Sequence, residues 1–169
     1  MEEAVSKTEF RNAMARVCAP VNVITSNGPA GRGGFTATAM CSVTEPPTLL
    51  VCMNGRSAQC GLFLENRRFC VNVLADDHQE LAGYFAGRQQ DMSARYAAAD
   101  WVEMPSGSQA LADAMVSFDC RLVEARLVGT HHIFIGQVIG IRSRADGNAL
   151  LYFDRNYINV PTQVGSFGG

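Results

Sequence analysis

Two stretches of this chain concentrate residue types that could do chemistry. Gly129-Thr130-His131-His132-Ile133-Phe134-Ile135-Gly136 sets two of only three histidines at the lip of an apolar, β-branched run. An imidazole there can meet a bound ring while the strand behind it stays packed. Gly34-Phe35-Thr36-Ala37-Thr38-Ala39-Met40-Cys41-Ser42-Val43-Thr44 is built from small residues and hydroxyls. Thr36, Thr38 and Ser42, with nearby backbone N–H groups, can give a phosphate several hydrogen bonds without bulk. Threonine on strands and serine in turns are equally what an unliganded sheet contains. Together the two stretches imply a flat, phosphorylated ligand held against a β-barrel.

A third stretch, Asn54-Gly55-Arg56-Ser57, closes a strand-like run and opens a helical pattern. A helix start offers free N–H donors and a positive dipole end to an anion, and Arg56 can add a charge-assisted pair. A cap beside a solvated arginine is the plain alternative. Side chains alternate along a strand, so His132 points away from the side His131 faces. His78, in the polar run Asp76-Asp77-His78-Gln79-Glu80, is expected to be solvated.

Bulk properties narrow the classes. At 169 residues the chain fits one domain that can bury a core without metal or disulfide staples. Its 47% hydrophobic and 18% charged content is that of a globular chain. A net charge of −2 gives no electrostatic footprint for nucleic acid. The six cysteines form no C-x-x-C pair and several sit in apolar runs, so they read as reduced thiols packed as small hydrophobes. With an acidic N-terminus and no apolar run near the roughly 18 residues of a membrane span, a cytoplasmic location is expected. Gly31 and Gly33 lack the third glycine of a dinucleotide fingerprint, since Thr36 stands in its place. Walker, G-x-S-x-G and H-E-x-x-H motifs are absent, and the histidines lack metal-ligand spacing.

These residues need elements to position them. Thr8 can cap a short helix with Phe10, Met14 and Val17 on one face. Val21–Thr25 reads as a strand, Asn27–Gly34 as a loop of breakers, and Phe35–Met40 and Thr48–Met53 as the next two strands. Ser57 can cap a helix to Asn66, followed by a strand at Phe69–Leu74 and a helix over residues 77–86. After an irregular stretch to Gln109 come two long strands, Met115–Leu127 and His131–Arg144. Asp146-Gly147 reads as a hairpin turn, Ala149–Tyr157 as a last strand, and Thr162–Gly169 as a loose tail. Six or seven strands without regular helical alternation argue against a doubly wound parallel sheet and for an antiparallel barrel.

Six motifs in collinear order carry a resemblance: Ala19–Thr25, Gly34–Thr44 with Pro46-Pro47, Leu50–Ser57, Phe69–Leu74, Gly129–His131 and Leu151–Tyr157. Over about residues 8–160 the chain resembles the flavin reductase family. It is most similar to the short reductase components of two-component flavin monooxygenases, of the 4-hydroxyphenylacetate and pyrimidine-utilisation types. The resemblance implies a mainly β (α+β) fold, an antiparallel split β-barrel with short helical insertions. It implies an NAD(P)H:flavin oxidoreductase taking FMN or FAD, with NADH or NADPH as hydride donor. Reduced flavin would pass to a separate monooxygenase, and the chain would be a homodimer. The contacts it implies are Thr36, Ala37, Thr38, Ala39, Cys41 and Ser42, then Asn54, Arg56 and Ser57. Arg88 follows, as a phosphate contact or only a helix C-terminal cation. Phe153, Arg155 and Tyr157, alternating on the last strand, would flank the ring, line a dimer seam or pack in the core. His131 carries the catalytic role, with Thr130 replacing the acidic residue of the family pattern Gly-Asp-His. A non-catalytic flavin- or heme-binding split barrel is the alternative. A pyridoxine-phosphate oxidase type fits less well, because the single lysine, Lys7, lies outside the motifs.

Overall fold

Side-chain alternation along one strand divides the interior in two. In the computed structural model, which describes residues 4–162, strand β2 (Asn22–Gly28) is buried on both faces along its first five residues. Ile24 points into the barrel core with Val51, Phe63, Phe69 and Phe134, while Val21, just before the strand, and Val23 join Leu74, Leu81, Phe85, Tyr96 and Leu150 in a second core. The barrel core is aromatic: Phe63 stacks on Phe134 at 6.2 Å and meets Phe35 edge-on at 5.3 Å.

The barrel is a seven-stranded antiparallel sheet in the order β3-β2-β6-β9-β10-β5-β4. Its strands are β3 (Gly31–Ala37), β4 (Met40–Thr44), β5 (Thr48–Asn54), β6 (Arg68–Val73), β9 (Val116–Val128) and β10 (His131–Ser143), with β2. The edge strands β3 and β4 are joined only by Thr38 and Ala39, so the sheet must curl until its edges meet. A Cys52 N–H to Ala39 carbonyl bond of 3.3 Å carries the β4–β5 ladder one residue into that seam. The expected strand Phe35–Met40 is therefore two strands broken at the seam. Asn27–Gly34 is not a loop but the tight β2–β3 hairpin, turning at Pro29-Ala30.

A second sheet joins β1 (Ala19–Pro20), β11 (Ala149–Phe153) and β12 (Asn156–Val160). The expected last strand is thus a hairpin, turning at Asp154 and Arg155 with φ of 48° and 64°. Asp146-Gly147 makes no hairpin, since β10 pairs with β9 and β5 while β11 pairs with β1 and β12. A small pair, β7 (Trp101–Glu103) and β8 (Gln109–Leu111), closes one side. Twelve strands among the described residues exceed the six or seven expected because short strands leave little periodicity to read.

Among the described residues four short α-helices, with a 3₁₀ and a π turn, accompany the strands. Ser6, not Thr8, caps α1 (Lys7–Met14), in a reciprocal box with Glu9. Gln59, not Ser57, precedes α2 (Cys60–Asn66). A helical insert packs over β3: a 3₁₀ turn (Asp76–His78), α3 (Gln79–Gly83), a π turn (Tyr84–Arg88) and α4 (Met92–Ala97). Gly34 lets it come close, as a Cβ there would lie 2.6 Å from Phe85 Cε1. Buried Asn72 ties four elements together, donating to the Val23 carbonyl and accepting from Leu111 N–H and the Ser117 hydroxyl. All six cysteines are free; Cys60, Cys70 and Cys120 are buried, and burial pushes the Cys120 thiol up to about 12. Among the described residues no helix is long and apolar enough to cross a membrane. The tail expectation for residues 163–169 lies outside the described residues.

Candidate functional site

The barrel seam leaves backbone donors unspent. Among the described residues no acceptor meets the N–H groups of Thr38 and Ala39, which belong to neither flanking ladder. Adjacent free donors of this kind suit an anion or a carbonyl-rich ring edge. Above them lies a hollow of about 580 Å³, within the roughly 300–1,000 Å³ of small-molecule sites. Thr36, Ala37, Thr38 and Ala39 form one wall, Asn54 and Ser57 a second, and the π turn and α4 a third, with His131 at the rim.

Strand register places the histidine. His131 lies directly across from Asn54, one register step from the pair His132–Met53. The His132 ring packs 5.9 Å from Phe134, on the opposite side of β10, as alternation requires. His131 is exposed; the Thr130 hydroxyl meets its Nδ1 at 2.9 Å and leaves Nε2 for a ligand. Thr130 thus supplies the orienting contact that an acidic neighbour would otherwise make. The turn after β5 satisfies itself: Asn54 Oδ1 accepts Arg56 N–H at 3.0 Å and Ser57 Oγ accepts Gln59 N–H at 3.2 Å. That leaves the Asn54 amide N–H groups and the Ser57 O–H to face the hollow.

Other expected contacts are placed differently. Thr36 lines the hollow, but its hydroxyl donates to the Ala82 carbonyl at 2.6 Å and holds the helical insert to β3. Cys41 and Ser42 lie exposed on edge strand β4, outside the hollow, and Cys52 of β5 is the cysteine that lines it. Arg56 is exposed and lies off the lining. Arg88 folds back over Gly83 and the Tyr84 ring, 5.9 Å from its centroid, away from the hollow. Because β11 and β12 form a hairpin, Phe153, Arg155 and Tyr157 do not share one strand face. Phe153 lies under Arg16, and Arg155 donates to Asn12 Oδ1 at 2.6 Å. Tyr157 lines a smaller recess that shares the Thr36–Thr38 wall with the main hollow.

The resemblance pointed to the Tyr84–Arg88 part of the third wall, and the sequence reading missed its α4 part. Gly87, at φ 106°, takes a conformation favouring glycine where the π turn bends over the hollow. Arg95, only 8% exposed, lines the same wall. Its Nε donates to the Gln89 carbonyl at 2.6 Å and its Nη1 to the Gly34 carbonyl at 3.4 Å. Burial lowers its pKa from the ordinary guanidinium value. Among the described residues no acidic side chain lines this hollow. The signal available was Asp91, whose carboxylate caps α4 through Ser93 and Ala94 N–H and sets Arg95 and Tyr96 on its buried side.

A second hollow, of about 520 Å³, has the opposite character, lined by Asp77, Glu80, Asp100 and Asp113 beside His78. His78 is buried rather than solvated. Its Nδ1 accepts Ala75 N–H at 3.0 Å, which puts the neutral ring's proton on Nε2, 3.1 Å from Asp113. Asp77, His78 and Asp113 converge closely enough to suggest a metal, but this tautomer offers no lone pair there.

An antiparallel barrel with a donor-lined, acid-free hollow over its seam defines a split barrel for a planar anionic ligand. The chain belongs to the flavin reductase family: residues 14–161 match the flavin reductase like domain. It is 47% identical over 164 residues to FMN reductase (NADH) RutF of Pantoea ananatis, covering 96% of this chain and 86% of that one. RutF of Variovorax paradoxus is 49% identical over 155 residues, covering 91% and 86%. A solved structure from Haemophilus somnus 129pt, assigned as a flavin reductase, superposes with a TM-score of 0.89 at 39% identity, covering 92% of this chain and all of that one. BorF, the flavin reductase component of a bacterial two-component tryptophan halogenase, superposes at 0.84 with 28% identity, covering 92% and 99%. The hollow's volume, its free seam donors and its acid-free lining fit a phosphorylated flavin.

Proposed function

We propose that this chain uses NADH to reduce FMN and releases the reduced flavin to a separate oxygenase. One observation carries the reading: the hollow joins free seam donors to a lone imidazole at an open rim. When bound, the flavin supplies the hydride-accepting ring, and the protein supplies geometry and electrostatics. Thr38 and Ala39 N–H groups, with Asn54 and Ser57, hold the polar parts of the flavin. Ala37 and Cys52 give its ring an apolar support. His131, through its free Nε2, orients the nicotinamide at the rim, where positioning contributes most to rate. The RutF relatives favour FMN over FAD and NADH over NADPH, and BorF supports delivery to a partner enzyme.

A homodimer belongs to the same reading. Phe10 within α1, Met14 at its end and Val17 just beyond are 57%, 48% and 51% exposed, a face that a second copy could cover. Sedimentation should then give twice the chain mass, and a monomer at micromolar concentration would refute it.

NADH oxidation, followed at 340 nm in a matrix of two flavins by two nicotinamides, tests the activity. FMN with NADH should turn over fastest. FMN binding without any NADH oxidation would leave the non-catalytic binder instead.

A further inference from the structure

A buried charge calls for a counter-charge, and Arg95 has none among the described residues. Its side chain is nine-tenths buried on the wall of the main hollow, and no ion pair within 4.0 Å includes it. Two backbone carbonyls take two of its five N–H groups, and the Phe85 ring lies 5.9 Å from its guanidinium carbon. The acid nearest in sequence, Asp91, spends both carboxylate oxygens on the α4 cap. Removing a cation from water without an anion costs several kcal/mol, and a guanidinium fork matches phosphate geometry.

We propose that Arg95 is the anion anchor of the hollow, its free N–H groups taking a phosphoryl group of the bound nucleotide. The assignment rests on the flavin reductase reading and adds a specificity residue to it. The phosphoryl group can come from the flavin or from the dinucleotide donor, and paired ligands separate the two. FMN is compared with riboflavin, which lacks the phosphate. NADH is compared with reduced nicotinamide riboside, which lacks every phosphoryl group.

Arg95→Met should raise the FMN dissociation constant about 10- to 100-fold while riboflavin stays within about twofold. Arg95→Lys should recover part of the loss, keeping the charge without the fork. Unchanged flavin binding with a higher KM for NADH, and an unchanged KM for the reduced riboside, supports the anchor and assigns it to the dinucleotide. Equal weakening within each pair, or no change in either, overturns the proposal. Riboflavin binding and the thermal midpoint show that each variant is folded. Wild-type protein that neither binds FMN nor oxidises NADH would remove the parent reading as well, before any variant is made.

Discussion

Two hollows of similar size, about 580 and 520 Å³, each hold one histidine. They differ in everything that decides binding. Among the described residues the seam hollow has a buried cation, free backbone donors and no acid, while the other has four carboxylates and no cation. His131 is exposed with Nε2 free, whereas His78 is buried with Nδ1 committed to a backbone N–H. Volume therefore does not choose the site. Unspent donors and charge do, and the same residue type serves ligand in one place and architecture in the other.

Exchanging the two histidines for alanine sharpens the comparison most. His131→Ala should slow hydride transfer about 10- to 100-fold with FMN affinity within about twofold, measured by anaerobic stopped-flow and fluorescence titration. His78→Ala should leave that rate unchanged and cost about 1–3 kcal/mol of stability, since it leaves the buried Ala75 N–H without its acceptor. Gly34→Ala drives a Cβ into Phe85, so denaturant unfolding should show a loss of about 1–3 kcal/mol together with weaker FMN binding. Ser57→Ala should weaken FMN binding by roughly 2- to 10-fold, while Asp113→Asn leaves it unaltered; equal effects would erase the distinction between the hollows. Last, FMN should slow thiol modification of Cys52, which lines the seam hollow, but not of exposed Cys41.

Local signals made much of this legible, and long-range ones hid the rest. The two long strands were plain from alternation, and β9 and β10 fall within two residues of the expected bounds. His131, Thr38, Asn54 and Ser57 were readable because each sits in a short motif on the wall it forms. Arg88 was named because it closes a segment that the family resemblance places beside the flavin, whereas Arg95 went unnamed because it owes its place to the packing of α4 against β3. His78 was misjudged because its burial comes from contacts with Ala75 and with Asp113, 35 residues away, while its neighbours Asp76 and Asp77 are polar. The break at Thr38-Ala39 was hidden because only closure of the barrel interrupts an otherwise continuous β pattern.

Amide hydrogen exchange with and without FMN tests the central claim most directly. Bound FMN should slow exchange across residues 34–39, 54–59 and 85–95 and leave residues 98–113 unchanged. Protection at 98–113, or none at Thr38 and Ala39, would place the flavin elsewhere and contradict the assignment.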